Sequence, residues 1–122
     1  MFKKYFTPPE AQKRLPLIKK IVGEILEKGK ALKGMVAHQT GVELPQECFR
    51  LQEEIEDLMR ELSDLGCFYK DWNFKIGLVD FPARMGEEVV FLCWRSDEKT
   101  IQWYHGMEAG YPGRKLIPED LL

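Results

Sequence analysis

The spacing of apolar residues changes once along this chain, at Gly66, and that change constrains the fold more than any other feature. Upstream, Leu15, Ile18, Val22, Ile25, Leu32 and Val36 recur at alternating steps of three and four, with Gly29 in the missing step. Ile21, Leu26 and Met35 widen this stripe, and the lysines at 19, 20, 28, 30 and 33 lie mostly off it. Such spacing places apolar side chains on one face of a helix. Cys48, Leu51, Ile55, Leu58, Leu62 and Leu65 repeat the pattern, and Gly66 supplies a C-terminal stop. Downstream, the apolar runs are alternating or continuous, as in strands.

Local signals sharpen the boundaries. Thr7, Pro8 and Glu10 form a capping box with proline at the first helical position. Pro16 removes a backbone donor and predicts a kink or break after Leu15. The first helix is expected to end near His38, whose charge suits a helix C-terminus, with Gly41 beyond it. Residues 39–45 read as a short loop, and Pro45 fits the first turn of the second helix. A connection this short makes the two helices antiparallel neighbours. Charge agrees: residues 1–34 carry nine Lys/Arg against three Asp/Glu, and residues 43–64 carry two against eight. Segments of opposite sign attract when packed side by side.

Residues 67–76 are rich in aromatics and hold a candidate first strand. Residues 77–84 read as a strand that Pro82 assigns to an edge or an early end. Residues 89–95 are apolar almost throughout, as in a strand covered on both faces. After a four-residue turn at Ser96–Lys99, Thr100 to His105 returns as another strand. The tail from Gly106, with three glycines and two prolines, reads as a structured loop. The expected fold is therefore α+β in a single domain, 1–122. A helical hairpin (7–66) packs with a small antiparallel sheet of three or four strands and its loop (67–122).

Composition excludes several classes. Hydrophobic residues make up 44% and charged residues 31%, values of a globular chain and far from disorder. No apolar run approaches the ~20 residues that span a bilayer, so no membrane partner is expected. The N-terminus lacks the apolar stretch of a signal peptide. Three widely spaced cysteines, Cys48, Cys67 and Cys93, give no CxxC pair and no disulfide framework, which points to a reducing cytoplasm. The basic first segment raises nucleic acid as a partner, and the acidic segment beside it argues against one.

The chemistry-bearing residues gather between 80 and 114. Pairing Arg95 with Thr100 would place Arg95, Cys93, Gln102 and Tyr104 on one sheet face, and Trp94, Leu92, Ile101, Trp103 and His105 on the other. A two-residue turn near Met85-Gly86 would add Asp80 to the face of Arg95, whereas a three-residue loop would reverse it. Asp80 and Arg95 then make either a structural bridge or part of a ligand site. His105 and Glu108 have the spacing of a weak metal or acid–base pair, or His105 is a partly buried strand-end residue. Two histidines fall short of an ordinary zinc site, so no metal and no cofactor are expected. The glycine-containing tail beside Arg114 either forms an anion-binding nest or simply permits tight turns. Trp72, Phe74, Trp94, Trp103 and Tyr104 suit a core better than a base-stacking platform. Cys93, between large apolar neighbours, reads as a buried, inert thiol.

Four blocks in order carry a family resemblance: Gly77-Leu78-Val79-Asp80-Phe81-Pro82-Ala83, Leu92-Cys93-Trp94-Arg95, Trp103-Tyr104-His105, and Glu108-Ala109-Gly110-Tyr111-Pro112-Gly113-Arg114. With the opening Phe6-Thr7 and Leu15-Pro16, they resemble the prokaryotic domain-of-unknown-function family 2203 over nearly the whole chain. Where that family usually carries tryptophan, this chain has Tyr104. The resemblance implies a small cytoplasmic protein and supplies no catalytic residues.

Two function classes follow. One is a non-enzymatic interaction module whose helices meet a protein partner or a second copy, as in a homodimer. The other is a small anionic-ligand-binding or hydrolase-like protein whose site uses Asp80, Arg95, His105, Glu108 and Arg114.

Overall fold

A computed structural model describes residues 2–37 and 45–122. The expected end of the first helix near His38 and nearly all of the connecting loop lie outside these residues. Helix α1 spans Pro8–Ala37 and α2 spans Gln46–Asp64. The capping box forms in both directions: the Glu10 N–H donates to Thr7 Oγ1, and the Thr7 N–H donates to Glu10 Oε1, each at 3.2 Å. The expected interruption at Pro16 does not occur, and α1 continues through it. Pro16 lies on the exposed side of the helix, where water can satisfy the carbonyl its ring leaves unpaired.

Ala11, Leu15, Ile18, Val22, Ile25 and Gly29 form the buried stripe of α1, and Cys48, Leu51, Ile55, Leu58 and Leu62 that of α2. Lys28 Nζ reaches Glu54 at 3.2 Å, and Cys48 Sγ reaches Met35 Sδ at 3.8 Å. Numbers rise along one helix as they fall along the other. Helix α2 ends in a Schellman turn: Gly66 adopts φ 95°, its N–H donates to the Ser63 carbonyl, and the Cys67 N–H donates to the Leu62 carbonyl.

The chain then enters a five-stranded antiparallel sheet in sequential order: β1 (Phe68–Tyr69), β2 (Leu78–Met85), β3 (Glu88–Arg95), β4 (Trp103–Gly106) and β5 (Lys115–Leu116). The expectation of three or four strands is low because β1 and β5 are two residues each, too short to leave a period in the sequence. Strand β5 also corrects the reading of the tail as free of regular structure. Pro82 sits within β2, beyond the short reach of β1. Its carbonyl accepts from the Phe6 N–H at 2.7 Å, so the donor it lacks would face that side, where the Phe6–Ala83 bridge stands in place of a full strand, and not β3.

Val79, Phe81, Ala83, Val90, Leu92 and Trp94 point from the inner face of the sheet onto the helical stripes, with Ile101 and Phe6 in the same core. Helix α1 is also pinned to the β3–β4 loop, where the Ile101 N–H donates to Gln12 Oε1 at 3.0 Å. No helix of the described residues is long and apolar enough to cross a membrane.

Candidate functional site

The outer face of the sheet carries the candidate site, and register puts it there. Met85 pairs with Glu88 around a two-residue turn, so Asp80 stands opposite Cys93 and on the face of Arg95, as a two-residue turn requires. Between β3 and β4 the pairing is Cys93 with Trp103 and Phe91 with His105. This is one residue away from the register expected for a four-residue turn. The cause is local: Glu98 returns its N–H to the Arg95 carbonyl, its carbonyl accepts from the Trp94 indole, and Ile101 then dives into the core. A one-residue slip moves every side chain across the sheet. His105 and Trp103 therefore join Cys93 on the outer face, and Tyr104 turns inward.

Asp80 and His105 are the buried polar residues among those described, at 5% and 3% exposure. His105 Nε2 lies 3.2 Å from Asp80 Oδ1. His105 Nδ1 lies 2.8 Å from the carbonyl of Gly106. A carbonyl only accepts, so Nδ1 carries a hydrogen. Nε2 is left facing Asp80 Oδ1. With both ring nitrogens engaged, His105 is a poor direct base; it positions the carboxyl of Asp80.

Cys93 completes the group. One ligand-type atom each from Asp80, Cys93 and His105 lies within 4.8 Å of the others. Burial, and next the charge of Asp80, push the Cys93 thiol up to about 12. These side chains border a cleft of about 240 Å³ whose other walls include Lys70, Phe91, Met107 and Tyr111. The Phe91 ring stacks obliquely on His105, with centroids 5.5 Å apart.

The remaining candidates assemble into a neighbouring cluster. Arg95 bonds Asp97 at 2.6 Å and the Tyr111 hydroxyl, and does not pair with Asp80. Arg114 donates to Glu98 at 2.6 Å and to the Cys93 carbonyl at 3.0 Å. Its guanidinium lies 5.0 Å from the ring centres of both Trp103 and Tyr111. Both arginines are thus matched by carboxylates. Glu108 is exposed in a turn, and His105 pairs with Asp80 in its place. Sequence reasoning misses Glu98 and Lys70, and it sets Cys93 aside. The alternating parity of Asp80, Cys93 and His105 is the available signal, but it requires the correct β3–β4 register.

A family model described as Uncharacterized conserved protein (DUF2203) matches residues 4–117. The chain belongs to that family. The match spans every strand of the sheet, so the outer-face group of this DUF2203 member lies within the family's own span. No curated protein and no solved structure matches the chain.

Proposed function

We propose that the protein binds a small anionic ligand in the cleft on the outer face of the sheet. The observation that carries this is the buried Asp80–His105 pair, which borders a cleft and is not sealed into the core. Small ligands bind in concave, mostly apolar clefts with a few convergent polar groups, which is the lining found here. Lys70 supplies the charge: its side chain is exposed at the cleft and makes no ion pair among the described residues. Asp80 offers a carboxyl to a donor group of the same ligand, with His105 holding it in place. Arg95 and Arg114 shape the wall through Tyr111.

The test is a thermal-shift and NMR titration with inorganic phosphate and a panel of small phosphates and carboxylates. A saturable rise in Tm that weakens at least about tenfold in Lys70→Ala supports the reading. No shift with any member of the panel would sink it.

A second reading, self-association through the helical hairpin, is favoured by Val36 and Phe49. They are exposed beside the Met35–Cys48 contact at one end of the helices. The wider stripe of α1 does not support it, because Ile21 is buried and Leu26 packs on the core within one chain. Sedimentation equilibrium decides: dimers that dissociate in Phe49→Glu support this reading, and a strict monomer at high concentration removes it.

A further inference from the structure

We infer that Asp80, Cys93 and His105 form a three-ligand site for a zinc-type divalent transition metal, with the fourth position open to the cleft. The inference rests on the cleft being the binding site, and it names what would hold the ligand there.

Geometry comes first. Tetrahedral zinc with ordinary bond lengths to sulfur, nitrogen and oxygen sets its ligand atoms about 3.3 to 3.6 Å apart. Nε2 and Oδ1 already stand 3.2 Å apart. That is long for a charge-assisted hydrogen bond and close to the bite of two ligands on one metal. All three ligand atoms fall within 4.8 Å of one another, so closing the set takes shifts of about 1.5 Å or less.

The second observation is the Gly106 carbonyl on Nδ1. Metal-binding histidines characteristically donate their other ring N–H to a carbonyl or carboxylate, which aims the remaining lone pair at the metal. Here Nε2 faces Asp80 Oδ1, and Cys93 Sγ belongs to the same close group.

Charge is the third. A thiolate and a carboxylate together balance a divalent cation, so the loaded site is neutral in a buried setting. On binding, the thiol proton and any proton on Nε2 or the carboxyl leave to solvent while three bonds to the metal form. The sulfur excludes calcium and magnesium, which take oxygen. The open fourth position beside Lys70 gives the metal an anionic ligand to share with the ammonium.

The test uses cobalt and zinc ions alone, added to the chelator-treated full chain. The expected result is one equivalent of Co²⁺ bound, with a thiolate-to-metal charge-transfer band and tetrahedral d–d bands, both displaced by Zn²⁺. Cys93→Ser should abolish the charge-transfer band. His105→Gln should weaken binding by more than about tenfold. A Cys48→Ala/Cys67→Ala variant should keep the band, which assigns it to Cys93 even if Cys93→Ser fails to fold. Absence of the band in the wild type overturns the inference, as does cobalt binding unchanged in folded His105→Gln. Phosphate binding to the metal-free protein would leave the cleft reading standing if the metal fails. A bound metal with no anion affinity in either form would uphold the metal site and remove the anion reading.

Discussion

His105 Nε2 faces Asp80 Oδ1 at 3.2 Å, and both side chains are almost wholly withdrawn from solvent. Removing either partner leaves the other buried without its mate. Asp80→Ala and His105→Ala are each expected to lower the unfolding free energy by about 3 kcal/mol. The double variant should lose less than the sum, with a coupling of at least about 0.5 kcal/mol in urea denaturation. Strict additivity would show that the two groups do not sense each other.

Arg114 is held by Glu98, by the Cys93 carbonyl and between two aromatic rings. Both hydrogen bonds come from one nitrogen, Nη2, which an ammonium can imitate, but a lysine has no plane to stack on the two rings. Arg114→Lys should therefore destabilise measurably, though less than Arg114→Ala, which costs about 3 kcal/mol for a mostly buried pair that loses one member. Chemical denaturation followed by tryptophan fluorescence will read this. Full rescue by lysine would contradict the stacked arrangement.

Glycines 23, 29 and 34 all lie in α1, yet they should respond in opposite senses to alanine. A Cβ at Gly23 or Gly34 meets nothing, so alanine there should stabilise by about 0.5–1 kcal/mol through helix propensity. A Cβ at Gly29 would overlap Cβ and Cγ of Phe74. Phe74 itself stands at φ 57°, so its loop has little room to yield. Gly29→Ala should destabilise by about 1–3 kcal/mol, as overpacking does. Thermal melts of the three variants side by side separate the cases.

Alkaline pH should unfold the protein through its buried thiols. Burial pushes Cys67 up to about 12, and Cys93 likewise, with Asp80 adding to the latter. The folded chain thus keeps thiol protons that the unfolded chain releases near 9. The associated stability is complete below pH 9 and is lost as pH rises from 9 towards 12. Each thiol contributes a slope of up to about 1.4 kcal/mol per pH unit in that window. Urea midpoints between about pH 9 and 11 should fall more gently in Cys67→Ala and Cys93→Ala than in the wild type. Equal slopes would show that these thiols ionise as readily inside as outside.

Much of this arrangement is legible in the sequence. The stripe from Leu15 to Ile25 and the turn at Gly66 follow from spacing and from one residue that tolerates positive φ. Asp80 on the face of Arg95 follows from a two-residue turn. What escapes is non-local. The partner of His105 depends on a single residue of register, and that register depends on Glu98 curling back on Arg95 and on Gln12 of a distant helix holding Ile101. Pro16 reads as an interruption in sequence, but Leu15, Ile18 and Val22 pack into the core on both sides of it and hold α1 continuous. Cys93 does read as buried from its neighbours alone. Its place beside a carboxylate and an imidazole requires three strands to be set correctly at once.

The Schellman turn at Gly66 leaves no slack between the helices and the sheet. Cys67 closes α2 with its N–H, and the next residue, Phe68, is already paired with Asp80. A sliding of α2 along its axis has no linker in which to dissipate. It must either strip β1 from its neighbour or drag the backbone of Asp80 with it. Anything that grips the second helix therefore has a short mechanical handle on the mouth of the cleft.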